Sequence, residues 1–167
     1  WTNENHWEWA TKPNAREKAS FLSENILPMQ ESGQLNFIQR PDSDFIAQSE
    51  LNFGIFFVDG HTEKMMVPHI QYQNKTICFM ADLLPTAGHI PLPYVMGYDT
   101  RPLLTLPEKE KFMNAAADNN YYLFLEHDAP ELQPEPESLG GAREDGARQL
   151  DVLRYALCRH GRLLESR

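Results

Sequence analysis

Three apolar runs in this chain each end in a side chain that can bind a metal ion. Phe56-Phe57-Val58 gives way to Asp59-Gly60-His61-Thr62, Ile77-Cys78-Phe79-Met80-Ala81 to Asp82, and Tyr122-Leu123-Phe124-Leu125 to Glu126-His127-Asp128. Short continuous apolar runs of this kind read as buried strands. Laid side by side in one sheet, three such strands would deliver His61, Asp82 and His127 to a single edge. Imidazole and carboxylate are ligands for zinc, iron or manganese. A cation held there would bring the pKa of a water ligand to about 7. Taken singly, each of the three residues is more often a strand-end cap or a surface group.

Composition narrows the function classes. The 167 residues are 41% hydrophobic and 11% aromatic, which is globular rather than disordered. A formal net charge of −9 lacks the basic footprint that phosphate backbones require, so nucleic acid is not the expected partner. No apolar run reaches the roughly 18 residues of a membrane span. Two cysteines, Cys78 and Cys158, are too few for a disulfide scaffold and fit a reducing, cytoplasmic setting.

Character changes near residue 130. All six Lys precede it, whereas residues 130–167 hold six Arg and no Lys, Asn, Ile, Phe or Thr. Sixteen of those 38 residues are Gly, Ala, Arg or Pro, whose codons are GC-rich. The tail therefore reads as a segment of different coding origin, with an ordinary linker and terminal helix as the plainer alternative. Residues 130–146 read as a Pro/Gly/Glu-rich linker, and 150–163 as an amphipathic helix.

Along the body, Asn14 with Glu17 three residues on predicts a capped helix over 15–26, ended by Pro28. Strands are expected at 35–38, 45–47, 53–58, 65–72, 76–80 and 121–125, and a helix at 106–119. Residues 83–106 form a long Pro-rich connection of the kind that often carries function. Strands followed by helix and strand predict a mixed α/β (α+β) layered domain. His69 reads as a half-exposed strand residue, His6 as part of an aromatic cluster with Trp7 and Trp9, and Cys78 as a buried small hydrophobe. Glu108, Lys109, Glu110 and Lys111 read as the solvated start of a helix.

The words Asp59-Gly60-His61-Thr62, Ala81-Asp82-Leu83-Leu84-Pro85-Thr86-Ala87-Gly88-His89 and Glu126-His127-Asp128 resemble, in order and interval, the third to fifth metal-binding motifs of the metallo-β-lactamase superfamily. The stretch from His6 to Ala19 is similar to the region after that family's second motif. The resemblance covers residues 1–129. It implies a four-layered αββα sandwich with a one- or two-metal site at the sheet edge. It further implies that His61 binds one divalent ion, that Asp82 bridges two, and that His127 binds the second. Zinc is the first choice and iron or manganese the others. A metal-bound hydroxide would then attack an ester, lactone or phosphoester in a small-molecule substrate. The same resemblance puts the long loop with His89, Tyr98 and Asp99 near the pocket, with His89 or Tyr98 touching the substrate.

The family's most diagnostic motif, His-x-His-x-Asp-His, does not occur in these residues. The expectation is therefore the C-terminal portion of such a hydrolase, inactive or nearly so by itself. The competing reading is a degenerate, non-catalytic domain that uses the same pocket to bind a partner chain or small molecule.

Overall fold

The computed structural model describes residues 1–40 and 42–128, together with the backbone of residues 154–155, 158–159 and 162–163. Its frame is a sheet in the order β1 (Phe45–Ile46), β2 (Gly54–Val58), β3 (Met65–Tyr72), β4 (Lys75–Phe79), β5 (Tyr122–Phe124), with β6 (Arg154–Tyr155) beyond. β1 to β4 are antiparallel neighbours, and Gln73 takes a left-handed backbone (φ 53°) in the tight turn between β3 and β4. β5 then joins β4 in parallel, so the chain between them must cross over, as parallel pairing demands.

That crossover carries α3 (Pro102–Asp118), one turn longer at its start than the sequence pattern predicts. Pro102 stands at the first helical position, where a missing N–H costs nothing. Phe112, Met113 and Ala116 of α3 pack against Phe56, Val58, Val67, Cys78 and Leu123 of the sheet. These strand residues alternate in sequence and share one face. Ile55 and Phe57 point to the opposite face, where Ile38, Ile46, Leu51, Phe53 and Met66 gather round them. β2 is consequently buried on both faces, as its unbroken apolar run predicts.

Several expectations need correction. No helix spans 15–26. Asn14 does cap, accepting from the backbone N–H groups of Arg16 and Glu17, but only turns follow. The Glu17 carboxylate accepts from Trp9 Nε1 instead of closing a capping box, and Leu22 is extended (φ −81°, ψ 111°). The helix α2 (Ser23–Glu31) starts there, and Pro28 lies inside it. An earlier helix, α1 (Glu4–Thr11), is capped by Asn3, whose side chain accepts from His6 N–H. Residues 35–38 make only an isolated bridge between Thr2 and Phe37. His69 is buried, not half-exposed, because its side chain enters a ring of Phe45, Phe112 and Tyr121.

In the tail, β6 adds to β5, and β7 (Cys158–Arg159) pairs with β8 (Arg162–Leu163). These extended pieces replace the helix expected over 150–163. The expected linker, 130–146, lies outside the described residues. No described helix is long and apolar enough to cross a membrane.

Candidate metal centre

Topology brings the three strand-end residues together. β2, β4 and β5 run in the same direction, because β3 is antiparallel to both β2 and β4 and β5 is parallel to β4. Their C-terminal ends therefore lie along one edge. His61, Asp82 and His127 each stand three residues beyond the last strand residue, Val58, Phe79 and Phe124 respectively.

The three side chains meet on Asp82. His61 Nε2 lies 3.1 Å from Asp82 Oδ2, and His127 Nε2 lies 3.2 Å from Asp82 Oδ1. Among the described residues, Asp82 Oδ1 is buried without a hydrogen-bond partner. Each carboxylate oxygen thus faces its own imidazole nitrogen. Two ligand atoms about 2.1 Å from a common ion, at angles of about 90–109°, stand roughly 3.0–3.4 Å apart. The observed separations are edges of such a polyhedron, and the donor set is one that divalent ions accept. The residues fit a bridging carboxylate with one imidazole on each side.

Glu126 joins this group. One ligand atom each from Asp82, Glu126 and His127 can lie within 4.8 Å of one another. Sequence reading used Glu126 only as part of a motif. Its alternation out of β5 beside His127 was the available signal.

Local structure holds each of these side chains. Ala81 adopts φ 45°, a strained choice for a residue with a Cβ, and turns the backbone immediately before Asp82. The N–H of His127 donates to Pro85 O, and Asp128 accepts from Ala87 N–H, so the β5 exit is tied to the loop after Asp82. His61 follows a turn whose Asp59 and Gly60 N–H groups both donate to the Glu108 carboxylate. Arg101 donates to Asp59 O and pairs with Glu63 on the same turn. The His61 ring Nδ1 lies 3.0 Å from Asp99 Oδ1, and its carbonyl accepts from both the N–H and the hydroxyl of Thr100.

Charge follows from this packing. Burial disfavours the His61 cation, but contacts from Asp82 and Asp99 outweigh it and raise its pKa to about 9. The same contact with His61 holds Asp82 below the ordinary carboxylate range, against the effect of its burial. Burial raises the Glu108 pKa, while the two backbone donors act the other way.

Glu108 and Lys109 are not a solvated helix start. Lys109 is fully buried, and its ammonium donates to the carbonyl oxygens of Pro91, Leu92 and Tyr94. Burial lowers its pKa. It pins the loop that carries Tyr98.

A cavity of about 420 Å³ opens at the cluster, reaching His61, Asp82 and His127. Phe21, Met65 and Met96 give it apolar walls, and Tyr98, 76% exposed, stands at its mouth. Arg16 donates to Gly97 O and links the 14–20 turn to that loop. His89 is not among the cavity-lining residues; its Nδ1 lies 2.8 Å from Thr86 Oγ1. His6 does line it, with Nδ1 2.7 Å from Glu63 O and its ring edge-on to Phe21.

No family model matches the sequence, and no curated protein matches it. Solved structures do resemble it. A protein from Staphylococcus aureus, described as a probable metal-dependent hydrolase, superposes with a TM-score of 0.58 at 22% identity, over 73% of this chain and 42% of its own. The hydrolase AbOPH, of the β-lactamase superfamily, superposes with a TM-score of 0.54 at 17% identity, over 72% of this chain and 44% of its own. The chain spans less than half the length of these neighbours. It has a partial metallo-β-lactamase-type fold, with the mixed α/β layering expected from its sequence.

Proposed function

We propose that the chain is part of a metal-dependent hydrolase acting on a small-molecule ester, lactone or phosphoester. The observation that carries this reading is the pair of imidazole nitrogens facing the two oxygens of one carboxylate at 3.1 and 3.2 Å, at the floor of a cavity. Two divalent ions would be held, zinc in first place and iron or manganese otherwise. Bound there, such ions supply Lewis acidity and a nucleophilic hydroxide at neutral pH. The chain's own residues supply the rest. His61, Asp82 and His127 act as ligands, with Glu126 in reach as another oxygen donor. Phe21, Met65 and Met96 offer apolar surface to a substrate, and Tyr98 a phenol at the rim; we assign His89 a lesser substrate role, through its loop.

Four ligand side chains are too few for two ions that each take about four positions. We therefore expect the 167 residues alone to be inactive or nearly so. Residues 1–129 constitute the hydrolase part in this reading, and 130–167 a tail of separate coding origin. The buried free thiol of Cys78 suits the cytoplasm.

The test is zinc and cobalt uptake by equilibrium dialysis, followed by assays on lactones and aryl esters. We expect about one ion retained per chain through Asp82 and its imidazoles, lost in Asp82→Ala. Uptake identical in wild type and Asp82→Ala would remove the site. Robust turnover abolished by Asp82→Ala would refute the inactivity of the isolated chain.

A further inference from the structure

We infer that Asp99, anchored by Thr105, is a positioning residue that fixes the proton of His61 on Nδ1 and so reserves Nε2 for the cation. The metal half of this inference rests on the ligand role proposed above for His61; the proton half does not.

The Asp99 side chain is completely buried, 38 residues from His61 in sequence. A buried carboxylate needs hydrogen-bond donors, and this one has two. Oδ2 accepts from the Thr105 hydroxyl at 2.8 Å, and Oδ1 lies 3.0 Å from His61 Nδ1. A carboxylate oxygen only accepts, and both ring nitrogens face one. Only the Nδ1 contact has hydrogen-bond geometry. The sealed Asp99 has no access to water in place of the ring N–H, whereas the Asp82 side chain is 25% exposed, so Nδ1 carries the hydrogen. The proton on one ring nitrogen decides which nitrogen has a free lone pair. In the neutral ring that leaves Nε2 bare, the atom 3.1 Å from Asp82 Oδ2. Thr100, the next residue, grips the His61 carbonyl twice, so His61 is held at its backbone and at Nδ1.

Asp99 is not employed as a helix cap. Arg101 occupies the cap position of α3, no side chain caps there, and Asp99 bonds the Thr105 hydroxyl rather than a backbone N–H. Thr105 is itself 1% exposed and lies against Gly60, so the anchor cannot swing. The arrangement is that of a metal-ligating histidine with a carboxylate behind it, and loss of such an outer partner costs 10–100-fold in metal affinity.

Long-range proton–nitrogen NMR of the metal-free chain, followed up in pH until the His61 ring signals stop shifting, reads the tautomer of the neutral ring directly. Wild type should carry the proton on Nδ1. Asp99→Leu should move it to Nε2, while Asp99→Asn, whose amide oxygen still accepts, should keep it. Cobalt titration should show about 10–100-fold weaker binding in Asp99→Leu and a smaller loss in Asp99→Asn. A wild-type proton on Nε2, or equal cobalt affinity in wild type and a folded Asp99→Leu, overturns the assignment. If Asp99→Leu does not fold, wild type and Asp99→Asn decide through the tautomer. A proton on Nδ1 in a chain that takes up no cobalt upholds Asp99 and instead defeats the ligand role of His61.

Discussion

His61 and His69 are both buried, yet their surroundings push them in opposite directions. Against its burial, two carboxylates raise His61 to about 9, whereas burial among aromatic rings, with both ring nitrogens unpartnered, lowers His69 to about 4. For the metal-free chain the signs follow by linkage. A raised histidine contributes stability in full below its unfolded value near 6.5 and loses it as pH rises through about 9. A lowered histidine acts in reverse, because below 6.5 the unfolded chain takes a proton that the folded chain refuses until about 4. Stability should therefore peak near pH 6.5 and fall on both sides, by at most about 3 kcal/mol on each. Urea midpoints between pH 4.5 and about 10 measure this. Asp82→Asn should flatten the alkaline limb and His69→Leu the acid one; limbs unchanged by these variants would refute the attribution. Excess zinc should oppose the alkaline fall, since the metal competes with protons for the same atoms. At this scale the sequence made His61, Asp82 and His127 visible, because apolar strands ending in ligand-type side chains leave a pattern. Asp99 is marked in the sequence only as part of a loop near the pocket; its contact with His61 left no pattern, because only the crossover brings the two together.

α3 is the element that holds the His61 side of the site, and its first half does so with polar groups. Thr105 anchors Asp99, Glu108 binds the turn before His61, and Lys109 binds the loop after it. The helix can sit this close only because residue 60 is glycine. A Cβ there would stand 2.2 Å from Thr105 Oγ1 and 2.5 Å from its backbone nitrogen. Gly60→Ala should therefore cost about 1–3 kcal/mol by overpacking, read from chemical denaturation, and should also weaken metal uptake. A variant as stable as wild type would show that α3 can retreat freely. Lys109→Met removes three charge-assisted hydrogen bonds and strands buried carbonyls, at a cost of about 3–5 kcal/mol. Hydrogen exchange across residues 90–99 should rise in that variant, and unchanged protection would contradict the pinning role. Sequence reading missed this because consecutive charges at a helix start ordinarily face water, and nothing local marks the loops they reach. The failed helix over 15–26 has the same origin. Asn14 signals a start correctly, but Trp9 takes the Glu17 carboxylate, and that contact is tertiary.

Among the described residues, the sheet is finished on one face and open on the other. α3 closes the first, while on the second the cover over Ile55 and Phe57 does not extend across β3 to β5. There Pro68, Ile70, Ile77, Phe79, Tyr122 and Phe124 share a face by strand alternation, and none is buried. Ile70 is 41% exposed, and Phe79 and Phe124 stack on each other at the surface. In a four-layered sandwich this is the face that meets a second sheet, consistent with a chain covering only 42–44% of its structural neighbours. An apolar patch of this extent drives association unless something covers it. The chain alone should therefore self-associate as its concentration rises, measured by light scattering. Its net charge of −9 opposes contact at long range, so added salt should strengthen association. Ile70→Glu with Phe79→Glu should suppress it, but those changes also add negative charge. Ile70→Lys with Phe79→Lys separates the two causes, because it lowers the net charge while still breaking the patch. Suppression by both pairs would locate the cause in the open face. Suppression by glutamate alone would leave only bulk charge, and a wild type that stays monomeric at high salt would refute the open face as the cause of association.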